Sequence, residues 1–148
     1  MIVKEWMTPN PVTVHPDTGV KTAFRLIKKG GFKQLPVVED GKLVGIITDR
    51  DIRRPEIIDE LESWEQLYRL DDAFKVRGIM TKNVITIGEN DALESACLIL
   101  RKKKFNALPV LSEAGELVGI LTVHDVLDAF IDSLKLKEKM VEESGSKD

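Results

Sequence analysis

The 148 residues carry 22 Lys and Arg against 25 Asp and Glu, a formal net charge of −3, with 32% charged and 43% hydrophobic residues. This balance fits a folded protein of one core or two small ones, and it excludes both a disordered chain and a basic nucleic-acid binder, whose affinity rests on clustered cations. One cysteine excludes an internal disulfide; no secretory leader opens the chain and no apolar run is long enough for a membrane span, so a cytoplasmic protein is expected.

The chain then says the same thing twice. MTPNPVTVHPDTGVKTAFRLIKKGGFKQLPVVE begins at Met7, and MTKNVITIGENDALESACLILRKKKFNALPVLS begins at Met80, 73 positions later and without a gap. One extra residue in the following turn makes the offset 74, so that Gly41 matches Gly115 and Asp51 matches Asp125. Internal self-similarity of this kind marks a fold built from one repeated unit.

Taken in order, PVTV (11–14) and VITI (84–87) are short strands by their β-branched content. A helix follows each. Its apolar residues are Val20, Ala23, Phe24 and Ile27 in the first copy and Leu93, Ala96, Cys97 and Leu100 in the second, one stripe each at i, i+3, i+4, i+7. Asp17 or Thr18, and Asn90 or Asp91, are expected N-caps, and Cys97 is expected to be a plain buried thiol in the place of Phe24. The basic run Arg101 to Lys104 falls where the second helix should end, where positive charge complements the helix dipole.

LPVV and LPVL come next, each joined by a glycine-containing hairpin turn to KLVGIIT or ELVGILT, after which a helix opens at Thr48 or Thr122. Each unit is therefore β-α-β-β-α. The crossover helix makes its flanking strands parallel, and the hairpin adds an antiparallel one. The expected core includes Phe24, Ile27, Leu35, Val37, Ile46, Cys97, Leu100, Leu108, Val110 and Ile120. Between the copies, Ile57, Leu61, Trp64, Leu67 and Tyr68 recur at roughly helical spacing and predict a linker helix. The expected organisation is a first domain over 1–55, a linker helix over 56–75, a second domain over 76–136 and a flexible tail over 137–148.

Thr-x-x-Asp, at Thr48/Asp51 and Thr122/Asp125, reads first as a capping box that ties the start of a helix. Its context adds a second reading. Gly45 and Gly119 remove a side chain where something approaches the strand, and an Asp at a strand end and helix start suits a pair of neutral ribose hydroxyls. No nucleophile-base pair, Walker loop or dinucleotide fingerprint is present, so no catalysis is expected. His124 and His15 do not align with each other, and no metal cluster is in view.

The opening MT of each copy, the LPV, and the ending Gly-apolar-apolar-Thr-x-x-Asp, in this order and duplicated, resemble a tandem pair of cystathionine β-synthase (CBS) domains, a Bateman module, over residues 1 to 136. The resemblance implies an α+β fold of two β-α-β-β-α repeats packed sheet to sheet about a pseudo-twofold axis, and two clefts that take adenosine-containing ligands: AMP, ADP, ATP or S-adenosylmethionine. One cleft would use Asp51 and Thr48 with Arg50 and Lys33, facing Thr81, Asn83 and Ile85. The other would use Asp125 and Thr122 with His124 and Asn106, facing Thr8, Asn10 and Val12. It departs from the family at Lys104, where many members have the glycine that Gly31 supplies in the first copy, and at Gln34 and Ala107, where a basic residue is frequent. The ligand would be an effector and not a catalytic cofactor. The module would form a homodimer and regulate a separate, unidentified protein, with neither membrane nor nucleic acid as a partner. The alternative is a structural dimerisation module with no bound nucleotide, in which Thr-x-x-Asp is a cap alone.

Overall fold

A computed structural model describes residues 1–52 and 74–145. The expected linker helix over 56–75 lies outside the described residues except for Phe74 and Lys75, and Lys75 has extended backbone (φ −100°, ψ 147°). Among the described residues, no helix is long and apolar enough to cross a membrane.

The elements follow the expected order except at the opening strands: of 11–14 only Val14 forms a bridge, to Val37, of 84–87 only Ile87 is in a strand, and the chain's first strand comes earlier. Strand β1 spans Thr8–Pro9, helix α1 Val20–Gly30, strand β2 Gln34–Glu39, strand β3 Lys42–Thr48 and helix α2 Asp49–Ile52. The second copy gives β4 (Ile87–Gly88), α3 (Leu93–Lys103), β5 (Ala107–Leu111), β6 (Leu117–Thr122) and α4 (Val123–Gly145). The result is the α+β tandem repeat that the sequence predicts. β2 and β3 form an antiparallel hairpin across Asp40 and Gly41, whose φ values of 51° and 77° are those of a two-residue turn with both central residues left-handed. The parallel crossover recurs in both copies, at the Val14–Val37 bridge and in the β4–β5 pair.

The chain forms two compact units, and they do not follow the repeat boundaries. One contains Met1–Asn10, Thr86–Ala114 and Val118–Asp148; the other contains Pro11–Ile85 and Gly115–Leu117. The repeats have exchanged their opening segments. In the first-copy unit, Thr81 bridges Ile46 of β3, so the order across the sheet is Thr81, β3, β2, Val14. In the second-copy unit the order is β1, β6, β5, β4, with Thr8 opposite Ile120. These are the same sheet, each completed on one edge by the other repeat.

The exchange also explains how the helices start. The caps expected at Asp17 or Thr18 and at Asn90 or Asp91 are not made. Gly19 and Ala92 hold the cap positions, and neither provides a side-chain bond. The first helical amides are instead bonded by carbonyls of the exchanged segments: Val20 N–H donates to Phe74 O at 2.8 Å, and Leu93 N–H donates to Met1 O at 3.1 Å. Such an acceptor satisfies an amide that the helix itself leaves open. Asp91 turns away to accept from Gly88 N–H at 2.8 Å.

The first-copy core joins Val14, Val20, Ala23, Phe24, Ile27, Leu35, Val37 and Ile47 with Val76, Ile79 and Met80 of the exchanged segment. In the second-copy unit Val3, Leu93, Ala96, Leu100, Leu108, Val110, Ile120, Leu121 and Ala129 are buried. Two expected core residues differ. Ile46 is half-buried while Ile47 is fully buried, because neighbours on a strand face opposite sides and Ile47 has the core side. Cys97 is half-buried. Helix α4 runs on through the expected 131–140 stretch and further, to Gly145. The Lys, Glu and Met residues beyond 136 are strong helix formers, and no glycine or proline interrupts them before Gly145.

Helices α1 and α3 both end in the left-handed region, at Gly31 (φ 66°) and at Lys104 (φ 57°). The departure at Lys104 thus leaves the backbone conformation unchanged. For a residue with a Cβ this conformation is costly, so Lys104→Gly is expected to stabilise the protein by about 0.5–1 kcal/mol after the glycine's greater unfolded-state entropy is counted. A rise in the urea midpoint without a change of slope would register it; an unchanged or lower midpoint would show that the lysine is not strained.

Candidate functional site

Both Thr-x-x-Asp turns form at the junction of the last strand and the next helix. In the second copy the capping box is complete: Thr122 N–H donates to Asp125 Oδ2 at 2.8 Å, and Asp125 N–H donates to Thr122 Oγ1 at 3.1 Å. In the first copy Thr48 N–H donates to Asp51 Oδ2 at 2.9 Å, and the Thr48 hydroxyl reaches the same oxygen at 3.3 Å. Asp51 is 7% exposed and is the one buried charged residue among those described. A buried carboxylate must be hydrogen-bonded to be tolerable, and Thr81 supplies a bond to its other oxygen: Thr81 Oγ1 donates to Asp51 Oδ1 at 3.2 Å.

The exchange brings most of each expected residue set into one unit. Thr48, Arg50, Asp51, Lys33, Thr81, Asn83 and Ile85 all belong to the first-copy unit. Gln34 pairs with Thr48, which sets Lys33 next to the end of β3, and Thr81 crosses β3 at Ile46. Arg50 and Lys33 are exposed, and among the described residues neither has a hydrogen-bond or ion-pair partner. Asn83 is left-handed (φ 55°) and exposed, and Ile85 is half-buried. In the second-copy unit, Thr8 pairs with Ile120, Asn10 N–H donates to Val118 O at 3.3 Å, and Val123 N–H donates to Asn106 O at 2.9 Å. These bonds gather Thr8, Asn10 (φ 50°), Asn106, Thr122, His124 and Asp125 around the strand end. Val12 belongs to the other unit, which contains Pro11–Ile85.

The two glycines of VGI have a defined neighbour. A methyl group on Gly45 would lie 2.6 Å from Met80 Sδ and 3.1 Å from Thr81 O; on Gly119 it would lie 2.5 Å from Met7 Sδ and 2.9 Å from Thr8 O. What approaches these glycines is therefore the Met-Thr of the other repeat. The signal was in the sequence, since MT and VGI are duplicated in step. What a repeat cannot reveal is which copy of MT meets which copy of VGI.

Sequence reasoning also missed Arg77. Its guanidinium bonds Glu39 Oε1 at 3.1 Å and Asp17 Oδ1 at 3.3 Å, clasping the exchanged segment to the first-copy unit. The hydrogen bond it donates to Glu39, and then that to Asp17, raises its pKa. Lys4 holds the matching position in the other segment. Burial pushes the Cys97 thiol above its ordinary range, with Glu94 adding to the effect, which keeps it protonated and a poor nucleophile at neutral pH.

The CBS domain profile matches residues 3–55 and 76–132, both copies. The chain belongs to the CBS domain family. A CBS domain-containing protein of Dictyostelium discoideum is 34% identical over 140 residues, covering 91% of this chain and 94% of its own. The inosine-5′-monophosphate dehydrogenase of Korarchaeum cryptofilum is 37% identical over 115 residues, 78% of this chain, but the match spans only 21% of that enzyme. Among solved structures, the CBS-pair protein CBSX2 from Arabidopsis thaliana superposes with a TM-score of 0.77 at 31% identity, covering 93% of this chain and 96% of that one. CBSX2 has also been solved with AMP (TM-score 0.73, 32% identity, 92% and 98% coverage). A further CBS pair was solved with 5′-methylthioadenosine and S-adenosyl-L-methionine (TM-score 0.73, 28% identity, 90% and 98% coverage).

Proposed function

We propose that this CBS pair is a regulatory module that binds an adenosine-containing ligand and passes the effect to a partner protein. The observation that carries the reading is the buried Asp51 carboxylate, fixed at a strand end by Thr48 and bonded by Thr81, in the same unit as Arg50, Lys33 and Asn83. A fixed carboxylate accepts hydrogen bonds and repels anions, so it suits neutral vicinal hydroxyls such as those of ribose. Arg50 and Lys33 are exposed cations, and a guanidinium can meet a phosphate with two parallel bonds. The second set, with His124 and Asn106 at the matching places, suits a less anionic adenosyl group. Relatives of the same architecture solved with AMP and with S-adenosylmethionine support this ligand class. The proposed role is that of a cytoplasmic effector-binding module, with no catalytic step of its own. The exposed Leu127, Phe130, Ile131 and Leu134 on α4 support assembly as a homodimer.

The capping box at Thr122 and Asp125 favours a second reading, in which both motifs only start helices and the module is structural. One variant separates the two. A ligand that binds only the folded state stabilises it, by about 2.7 kcal/mol at a hundred times Kd. Asp51→Ala is expected to remain folded with a loss of about 0.5–2 kcal/mol. It should also lose at least half of the AMP-induced rise in melting temperature. Retention of the full rise in the variant, or no rise in the parent with AMP, ADP, ATP or S-adenosylmethionine, would favour the structural reading.

A further inference from the structure

The two repeats carry a cation at opposite ends of the same short loop. After α1 the loop reads Gly31-Phe32-Lys33; after α3 it reads Lys104-Phe105-Asn106. Gly31 and Lys104 are both left-handed, at φ 66° and φ 57°, and at Lys104 this conformation strains a residue that has a Cβ. Ending the helix does not require a lysine there. A glycine ends α1 in the same conformation, and Arg101, Lys102 and Lys103 already place three cations in the last turn of α3, where they complement the helix dipole. Lys104 is exposed and follows directly on that turn.

We infer that Lys104 supplies the second site with the phosphate-binding cation that Lys33 supplies to the first, so that this site takes an adenosine monophosphate. This rests on the proposed reading that the Thr-x-x-Asp turns hold an adenosyl group. The loop is fastened at both ends. Phe105 N–H donates to Leu100 O at 3.1 Å, and Asn106 O accepts from Val123 N–H at 2.9 Å. The second bond sets the loop against the start of α4, where Thr122, His124 and Asp125 stand, all within one unit. Lys104 and Asn106 lie two positions apart, a span of at most about 7 Å, and the flexible four-carbon stem of a lysine covers such a gap. Asn106 brings no charge, so its amide meets a phosphate only as a neutral donor, whereas a bond from an ammonium is roughly twice as strong. One lysine here, against Lys33 and Arg50 in the first set, matches one phosphate rather than a chain of them. Lys104 is thus a specificity residue that separates phosphorylated from phosphate-free adenosyl ligands. Strain kept at such a place is of the kind that binding sites hold against the preference of the backbone.

The test uses the full chain carrying Asp51→Ala, which leaves the second site to be titrated by calorimetry with AMP and with 5′-methylthioadenosine, which has no phosphate. Adding Lys104→Gly is expected to weaken AMP binding about tenfold, the worth of one bond to a charged group, and to leave 5′-methylthioadenosine binding unchanged. Lys104→Arg keeps a cation that can bond phosphate and should titrate like the unsubstituted loop. Lys102→Ala removes an equal charge from the same basic run and should change AMP binding little, because exposed charges away from the phosphate are screened. AMP binding that is unaffected by Lys104→Gly, or lowered as much by Lys102→Ala, overturns the inference and leaves the ligand reading standing. An equal loss of 5′-methylthioadenosine overturns it as well, since the loop would then act through its shape. So does AMP binding that is present in the original chain and absent once Asp51 is replaced. If neither ligand binds the original chain, the ligand reading falls, and the role of Lys104 with it.

Discussion

Phe24→Ala is expected to destabilise the protein by about 3–5 kcal/mol, the range for removing a fully buried aromatic ring. Phe24 is 2% exposed and belongs to a cluster that includes Leu35, Val37, Ile47 and, from the exchanged segment, Val76 and Met80. Loss of the ring leaves a cavity bordered by two stretches of chain far apart in sequence, so local repacking around α1 cannot close it. The same place in the repeat is held by Cys97, which is half-buried, and Cys97→Ala is expected to cost only about 1 kcal/mol. Urea unfolding of the two variants tests both figures, and comparable losses would mean that the two units have equivalent cores after all. The contrast should extend to the exchanged segment. Amides of residues 76–80 should lose exchange protection in Phe24→Ala, since Val76, Ile79 and Met80 are packed in that cluster.

This contrast also marks what could be read from the sequence. The stripe on α1 was legible because Val20, Ala23, Phe24 and Ile27 lie on one face whatever surrounds them, and all four are buried. In α3 the same spacing put Cys97 on the stripe, yet how deep a stripe position lies depends on the neighbouring element, which periodicity does not contain. Strand alternation erred for a related reason at Ile46 and Ile47. Both are apolar, and only the pairing register decides which faces the core. The turn residues of Asp40-Gly41 and the Thr-x-x-Asp boxes were legible because their chemistry is local. The Thr81–Asp51 bond and the Arg77 clasp were not, since they join residues 30 and 38 to 60 positions apart through a segment exchange. A gapless repeat describes exchanged and unexchanged chains equally well.

Gly119→Ala is expected to be the more damaging of two matched substitutions, costing about 2–3 kcal/mol against about 1–2 kcal/mol for Gly45→Ala, within the usual range for overpacking. Elsewhere in a strand an alanine would gain from lower unfolded-state entropy, so the sign itself is diagnostic. At Gly45 the new methyl meets chiefly the Met80 side chain, at 2.6 and 2.9 Å, and the Thr81 carbonyl at a tight but tolerable 3.1 Å. A thioether on three rotatable bonds can move aside. At Gly119 the methyl meets Met7 Sδ at 2.5 Å and also the Thr8 carbonyl at 2.9 Å, and that carbonyl belongs to β1 in its pairing with β6. A strand carbonyl cannot move without shifting the segment. The partners should therefore respond differently to shortening of the methionine. In a double-mutant cycle, Gly45→Ala with Met80→Ala should be clearly less damaging than the sum of the single changes, because the methyl and the sulfur no longer compete for one space. Gly119→Ala with Met7→Ala should recover less, because the backbone contact remains. Additive losses in both cycles would show that the Met-Thr segments are not pressed against these glycines, and the exchange of opening segments would lose its steric basis.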